Sequence, residues 1–491
     1  MRQAGVLLPV FSLPGRYGIG DFGENAYRMA DRLAASGVRI WQVLPLNPVG
    51  YGHSPYQPYS SFAGETSYIN LEMLKAEGLL LSLPEPFSET AERVDYEAVR
   101  AFKEPYFREA FRRFTETDAY REFIAEDWVF PYAVFAALKK KNGFRTWMEW
   151  DPEDRDWIRL WRNEDTKKEA LERVAVLDAD IRFEMFLQYE FFRQWKKLKA
   201  YVNALGILVM GDIPFYVGQD SVDVWANQEC FLLESDGYPQ YIAGVPPDYF
   251  SATGQRWGNP IYNWAHFTNT RYRFWIQRIL GNETLFDLLR IDHFRAFDTY
   301  WKIPASCPTA VTGEWVEAPG YDFFNTLLPA LHSVKIIAED LGEMRPEVYK
   351  LRDDFEFPGM NVLEFTLADA NFQVRENMIA YTGTHDNNTV RGWWAELSLS
   401  ERERFGGVLR ERGYEPDEEN IAAIMVEEAL RTDSQWAVIP AGDILELDAK
   451  ARINTPGVVN EVNWTWKMAD FKRFDEMLPA FTERVKASGR F

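Results

Sequence analysis

Apolar residues recur along this chain in a helix-then-strand rhythm. Between Asn25 and Ala35, the residues Ala26, Met29, Ala30, Leu33 and Ala34 fall at i, i+3, i+4, i+7 and i+8, one face of a helix that Gly37 ends. Val38 to Leu44 then reads as a buried strand closing at Pro45. The rhythm returns at Asp178, where a long helix is predicted to about Ala204, with Gly206 as its stop. The strand Ile207-Leu208-Val209-Met210-Gly211 follows and ends in Asp212. Leu288, Leu289 and Ile291 predict a short buried strand whose C-terminal end carries Arg290 and Asp292. Val334 to Ala338 predicts another, running into Glu339-Asp340-Leu341-Gly342. Met378 to Tyr381 leads into Gly383-Thr384-His385-Asp386-Asn387-Asn388-Thr389. Helix, glycine, apolar strand and polar loop make a βα repeat. Acidic residues at successive strand ends describe an α/β chain folded as a (β/α)8 TIM barrel, whose active sites gather at that face. Glu339 follows Asp292 by 47 residues and Asp386 follows Glu339 by another 47, each step reading as one βα unit with a generous loop.

Residues 75–177 break the rhythm. They are rich in Glu, Lys, Arg and aromatics, with helical period around Val99 to Phe114 and Trp128 to Leu138, and read as a mostly helical insertion. Its tract Lys139-Lys140-Lys141-Asn142-Gly143 reads as a solvated helix end. A proline-stiffened loop, Tyr51-Gly52-His53-Ser54-Pro55-Tyr56-Gln57-Pro58-Tyr59, suits a binding surface within an insertion at 50–75, and a lid loop is expected at 218–265. No Pro/Gly/Ser linker divides the chain, so 1–491 is expected to be a single catalytic barrel domain.

Composition narrows the function. A formal charge of −21 disfavours nucleic acid or an anionic membrane as partner, and points to a neutral or cationic substrate. Aromatics make up 15% of residues, 18 of them Trp, a residue type that stacks on sugar faces. The two cysteines, Cys230 and Cys307, have no CxxC spacing, which argues against a disulfide framework and fits a reducing compartment. Pro9 breaks the N-terminal apolar run before a signal core forms, and no run approaches a membrane span, so a cytoplasmic protein is expected.

Arg290 and Asp292 alternate with Ile291, so they point to one side of the strand, and an arginine beside a carboxylate holds it ionised and oriented. Asp212, Asp292, Glu339 and Asp386 would open onto one mouth. Such convergence serves either a divalent metal, with His293 and His385 as further ligands, or glycoside cleavage. Glycoside cleavage needs one ionised carboxylate to attack the anomeric carbon, the role that suits Asp292. It also needs one protonated carboxyl for the leaving oxygen, the role that the less polar setting of Glu339 suits. Asp386 suits sugar hydroxyls or the developing charge, and His293 and His385 suit hydrogen bonds to hydroxyls.

These stretches, Arg290-Ile-Asp-His-Phe, Ala338-Glu-Asp-Leu-Gly and Gly383-Thr-His-Asp-Asn, resemble the three catalytic motifs of the amylomaltases. That family is the 4-α-glucanotransferases or disproportionating enzymes, glycoside hydrolase family 77, relatives of the α-amylases. Gly211-Asp-Ile-Pro-Phe-Tyr-Val, Ser54-Pro-Tyr-Gln, the long run from Ala243 to Pro260, the opening from Leu13 to Gly23 and Asn454-Thr-Pro-Gly are similar as well. The resemblance implies Asp292 as nucleophile, Glu339 as general acid/base and Asp386 as transition-state stabiliser. It implies that Arg290, His293, His385 and Asp212 line the cleavage subsite, and that Tyr249, Phe250, Gln255 and Trp257 cover the glucan groove. Tyr51, Ser54 and Tyr56 match substrate-contacting positions, as does Asn454. It further implies no C-terminal β-domain, no cofactor and no catalytic metal. The expected donors are maltooligosaccharides and amylose, and the expected acceptors glucose or maltooligosaccharides. Three places depart from the family: Asn388 where Asp is frequent, Gly442-Asp443-Ile444-Leu445-Glu446-Leu447 in place of Gln-Asp-x-Leu-Gly-Leu, and Val462 in place of Gly.

Transfer rather than hydrolysis requires that an acceptor hydroxyl be bound well and water be badly placed. The stretch Val245 to Trp257, with Tyr249, Phe250 and Trp257, is expected to form an aromatic lid that binds acceptor. The competing readings are an α-glucan hydrolase and a non-catalytic glucan-binding protein, which the complete set of Asp292, Glu339 and Asp386 disfavours.

Overall fold

The computed structural model describes residues 2–247, 251–342 and 344–491, with the backbone alone at residue 51. The apolar runs become a ring of short parallel strands. These are β1 (Gln3–Leu7), β2 (Val38–Gln42), β3 (Leu208–Ile213), β4 (Leu288–Ile291), β5 (Lys335–Ala338), β6 (Gly359–Val362), β7 (Met378–Tyr381) and β8 (Trp436–Pro440). The sheet runs in chain order from β6 through β8 to β1 and on to β5, every pair parallel. It closes where the Ala338 N–H, at the end of β5, donates to the Pro358 carbonyl just before β6 at 2.9 Å. This is the expected (β/α)8 barrel. Five of its strands stand where the apolar pattern predicts them. The predicted pattern leaves out the other three: β6 is broken by Gly359 and Asn361, whereas β1 and β8 do carry short apolar runs, Val6-Leu7-Leu8 and Trp436-Ala437-Val438-Ile439.

The helix Glu24–Ala35 buries Ala26, Met29, Ala30 and Leu33 on the predicted face, and Gly37 takes a φ of +76° as its stop. The helix Asp178–Ala204 likewise ends before Gly206, at φ +78°. Between 75 and 177 the main helices are Tyr96–Arg113, Asp118–Ile124, Val129–Lys141 and Lys167–Val174. No helix among the described residues is long and apolar enough to cross a membrane. After β8 no further strand occurs among the described residues.

Three expectations need correction. The two 47-residue steps are not equivalent, because Asp292 to Glu339 spans one βα unit whereas Glu339 to Asp386 spans two, with β6 between. The tract beginning at Lys139 is not a solvated end throughout. Lys139 is buried and paired with Asp220, and Asn142 is buried on Leu138 and Asp154. Lastly, the lid region is not all loop. Tyr241–Val245 and Gln255–Pro260 join Thr299–Pro304 and Glu314–Glu317 in a four-stranded antiparallel sheet built from the chain that follows the C-terminal ends of β3 and β4. Gly244, Gly258 and Pro260 interrupt the apolar alternation that would have marked these strands.

Glu446 closes the short helix Ala441–Ile444 at a φ of +51°, the left-handed region, at the position where the resembling family carries glycine. Its backbone N–H still reaches Asp443 and that of Leu447 reaches Gly442, so the turn forms despite the side chain. Glu446→Gly is expected to stabilise the fold by about 1 kcal/mol. A melting temperature equal to or below that of the parent chain would show the turn to be unstrained.

Candidate active site

Strand pairing builds the first part of the site. β3 and β4 place Asp212 directly beside Arg290 in register. The Arg290 Nη1 donates to Asp212 Oδ2 at 2.7 Å and to Asp292 Oδ1 at 3.1 Å, so the alternation read in the sequence does bring Arg290 and Asp292 together. The Tyr56 hydroxyl donates to the same Asp212 oxygen at 2.9 Å, bringing the 51–59 loop down onto the strand ends. Asp212 and Arg290 are almost wholly buried, whereas the Asp292 side chain keeps 30% of its surface open to the cleft. Burial opposes the Arg290 charge, but the two carboxylates outweigh it and keep the guanidinium ionised. Burial pushes Asp212 up to about 7 against the pull of Arg290. It raises Asp292 too, where Arg290 opposes it and Asp386 reinforces it.

Glu339 sits in the turn after β5. Its two oxygens accept the backbone N–H groups of His293, at 2.8 Å, and Leu341, at 2.9 Å. His293 itself adopts left-handed backbone, at φ +54°. The loops after β4 and β5 are further joined by Phe294 N–H to the Glu339 carbonyl and Glu339 N–H to the Ile291 carbonyl. Burial pushes the Glu339 carboxyl up to about 8, with Arg290 opposing. Arg290 bonds Asp292 directly and acts on Glu339 only at longer range, so of these two the proton resides first on Glu339.

The third carboxylate stands on the loop after β7. Asp386 Oδ1 accepts from Asn454 Nδ2 at 2.6 Å and lies 3.5 Å from His385 Nε2, while the side chain is 38% exposed. His385 is buried and stacks on Tyr56, ring centroids 5.1 Å apart and planes 10° off parallel. Burial lowers His385 to about 4 and His293 to about 3, so both rings are neutral around pH 7.

The remaining expected residues divide. Trp257 packs edge-to-face on His293 at 4.8 Å, and Gln255 Oε1 accepts from its indole N–H at 3.1 Å. The Ser54 hydroxyl oxygen accepts the Tyr56 N–H and so holds the loop that carries Tyr56. Tyr249, Phe250 and the side chain of Tyr51 lie outside the described residues. Asn388 turns toward Glu396 and the Thr389 N–H rather than Asp292, Glu339 or Asp386, and Val462 is half exposed. Two neighbours went unread in the sequence. Trp464 packs on both Tyr56 and His385, and Arg452 ties the Asp386 and Asn454 carbonyls together. Arg452 gave no signal beyond standing two residues before Asn454. Among the described residues no three His, Cys, Asp or Glu side chains are grouped to hold a metal ion, and the positive charge shared by Asp212 and Asp292 is that of Arg290.

Residues 8–472 match the family model described as 4-alpha-glucanotransferase. The chain is 41% identical to the 4-alpha-glucanotransferase of Thermus thermophilus, over 99% of this chain and 98% of the relative. It is 40% identical to that of Streptococcus pneumoniae, over 98% and 95%. Among solved structures, the amylomaltase from Streptococcus agalactiae in complex with acarbose superposes with a TM-score of 0.90 at 35% identity, covering 100% of both chains.

The burial that keeps His293 and His385 neutral has a direct readout. In nitrogen NMR spectra of the labelled imidazoles, neither ring is expected to titrate between pH 5 and 8. A titration of either ring in that window would mean that its site is wetter than described here.

Proposed function

This chain belongs to the 4-alpha-glucanotransferase family and transfers segments of 1,4-α-glucans; from that premise we propose how its own residues perform the transfer. Asp292 attacks the anomeric carbon of the donor while Glu339 gives its proton to the departing glycosidic oxygen, so that the C1–O4 bond breaks as the C1–Asp292 ester forms. The Glu339 carboxylate then takes the proton of an acceptor 4-OH. That oxygen attacks C1, the ester breaks, and Glu339 is protonated again with the anomeric configuration retained. Asp386 stabilises the charge that develops on the ring, with Asn454 and His385 fixing its orientation.

The observation that carries this reading is the unequal treatment of the two carboxyl groups. Asp292 is bonded to a permanent cation and open to the cleft, whereas Glu339 is 9% exposed and pushed up to about 8. That separation suits a nucleophile and an acid/base at neutral pH. Tyr56, His293, Gln255 and Trp257 are proposed to hold the sugars at the cleavage point, with Asp212 and Arg290 supporting that subsite from beneath through Tyr56 and Asp292, and Ser54 and Tyr51 acting through the 51–59 loop. Tyr249 and Phe250 are proposed as acceptor contacts on the lid. Donors are maltooligosaccharides and amylose, acceptors glucose or maltooligosaccharides, and the chain works as one barrel domain in the cytoplasm with insertions at 50–75, 75–177 and 218–265. Neutral, aromatic-lined recognition fits a surface of formal charge −21.

Incubation with pure maltotriose tests the assignment. Glucose plus a ladder of longer maltooligosaccharides, with total reducing ends constant, is the expected result. Rising reducing ends without a ladder would make the protein a hydrolase, and unchanged maltotriose would make it a binding protein.

A further inference from the structure

Glu364 lies at the catalytic end of β6, in the short helix Leu363–Thr366, and is 5% exposed. It does not reach the cleft carboxylates. Its Oε2 accepts a hydrogen bond from Asn387 Nδ2 at 2.8 Å, and its Oε1 has no partner among the described residues. The approach is close because residue 383 is glycine, where an added Cβ would lie 3.0 Å from Oε1. From Asn387 the contact continues toward the site. The Asn387 Oδ1 accepts both the Thr384 N–H and the Thr384 hydroxyl at 2.9 Å, and the Thr384 oxygen in turn accepts the Asp386 N–H at 3.2 Å. A continuous hydrogen-bonded path therefore joins Glu364 to the backbone of Asp386.

We infer that Glu364 is a positioning residue for Asp386, acting as a neutral carboxyl that fixes Asn387 and, through it, the 383–387 turn. An ionised carboxylate with one oxygen buried and unpartnered would be far costlier than a protonated one in the same place. The charged groups that act on it do not rescue the anion. Asp443, from the helix Ala441–Ile444, and Glu396, from the helix Val390–Glu396, disfavour it, while Arg452 favours it but spends its bonds on the Asp386 and Asn454 carbonyls. Asp443 has both oxygens occupied, by the Thr382 hydroxyl and the Val390 N–H. Burial first, and Asp443 second, push Glu364 well above the ordinary carboxylate range.

This rests on the proposed role of Asp386, and the test keeps the two apart. Maltotriose disproportionation is measured for the parent chain, Glu364→Gln, Glu364→Ala, Asn387→Ala, the Glu364→Ala/Asn387→Ala double variant and Asp386→Asn. Glu364→Ala and Asn387→Ala are each expected to lower kcat by up to about 100-fold with KM little changed, as a misplaced catalytic group does. The double variant is expected to be no worse than the poorer single one. Glu364→Gln, neutral at every pH and of the same shape, is expected to recover most of the activity lost in Glu364→Ala. A folding equilibrium gives the second readout. The parent must bind a proton to fold above the ordinary carboxylate value of 4.5, and its stability falls as pH rises toward the raised folded value. The stability advantage of Glu364→Gln in denaturant titrations should therefore grow as pH rises above 4.5, by up to about tenfold in equilibrium constant per pH unit, and level off once the pH passes the raised folded value. Glu364→Gln as inactive as Glu364→Ala, or a pH-independent stability difference, would overturn the inference. Full activity in Asp386→Asn would instead overturn the role given to Asp386.

Discussion

The Arg290 guanidinium lies between two carboxylates, 2.7 Å from Asp212 and 3.1 Å from Asp292, in a place almost closed to water on the Asp212 side. Taking those charges out of water is expensive, and their mutual attraction offsets the expense only while the geometry stays tight. A buried ion cluster of this kind is weak evidence for stability and better evidence for use. Here the gradient of exposure says what the use is. Asp212 is sealed under Tyr56, Arg290 is sealed between strands, and Asp292 alone of the three opens to the cleft. Asp212 fixes Arg290, and Arg290 in turn aims Asp292 and opposes the protonation that burial favours.

The rest of the mouth is arranged around that cluster by backbone as much as by side chains. His293 and Trp464 both adopt left-handed backbone, at φ +54° and +64°, and both touch the site. Strain of this kind persists only where surrounding contacts over-determine it. For His293 the compensation is visible in the amide it presents to Glu339 and in the Trp257 ring packed on its imidazole. Glu339 is thus held by two peptide N–H groups yet buried enough to keep its proton, which separates it chemically from Asp292 without moving it away.

Much of this was legible in the sequence, and what was not has physical reasons. Strands buried on both faces announce themselves as apolar runs, so β2, β3, β4, β5 and β7 could be read, and with them the strand-end positions of Asp212, Arg290, Asp292 and Glu339. β6, with Gly359 and Asn361 among its four residues, has no such run, and its omission made two unequal steps look alike. Lys139 sits in a basic tract that composition assigns to solvent, yet its partner Asp220 is 81 residues away. Asn454, 68 residues beyond Asp386, likewise has no local signature, and only resemblance to a family pointed to it. Local periodicity reports burial; it does not report which distant side chain completes a polar site.

The central claim is that Asp292 becomes covalently attached to the sugar while Glu339 handles the proton. A Glu339→Gln variant given an α-maltosyl fluoride needs no acid for departure of fluoride but lacks the base for transfer, so the intermediate should accumulate. Mass spectrometry of its proteolytic peptides is the measurement. A maltosyl group on the peptide containing Asp292, on that side chain, is the predicted result. Fluoride released with no adduct, or an adduct on Asp386, would contradict the account.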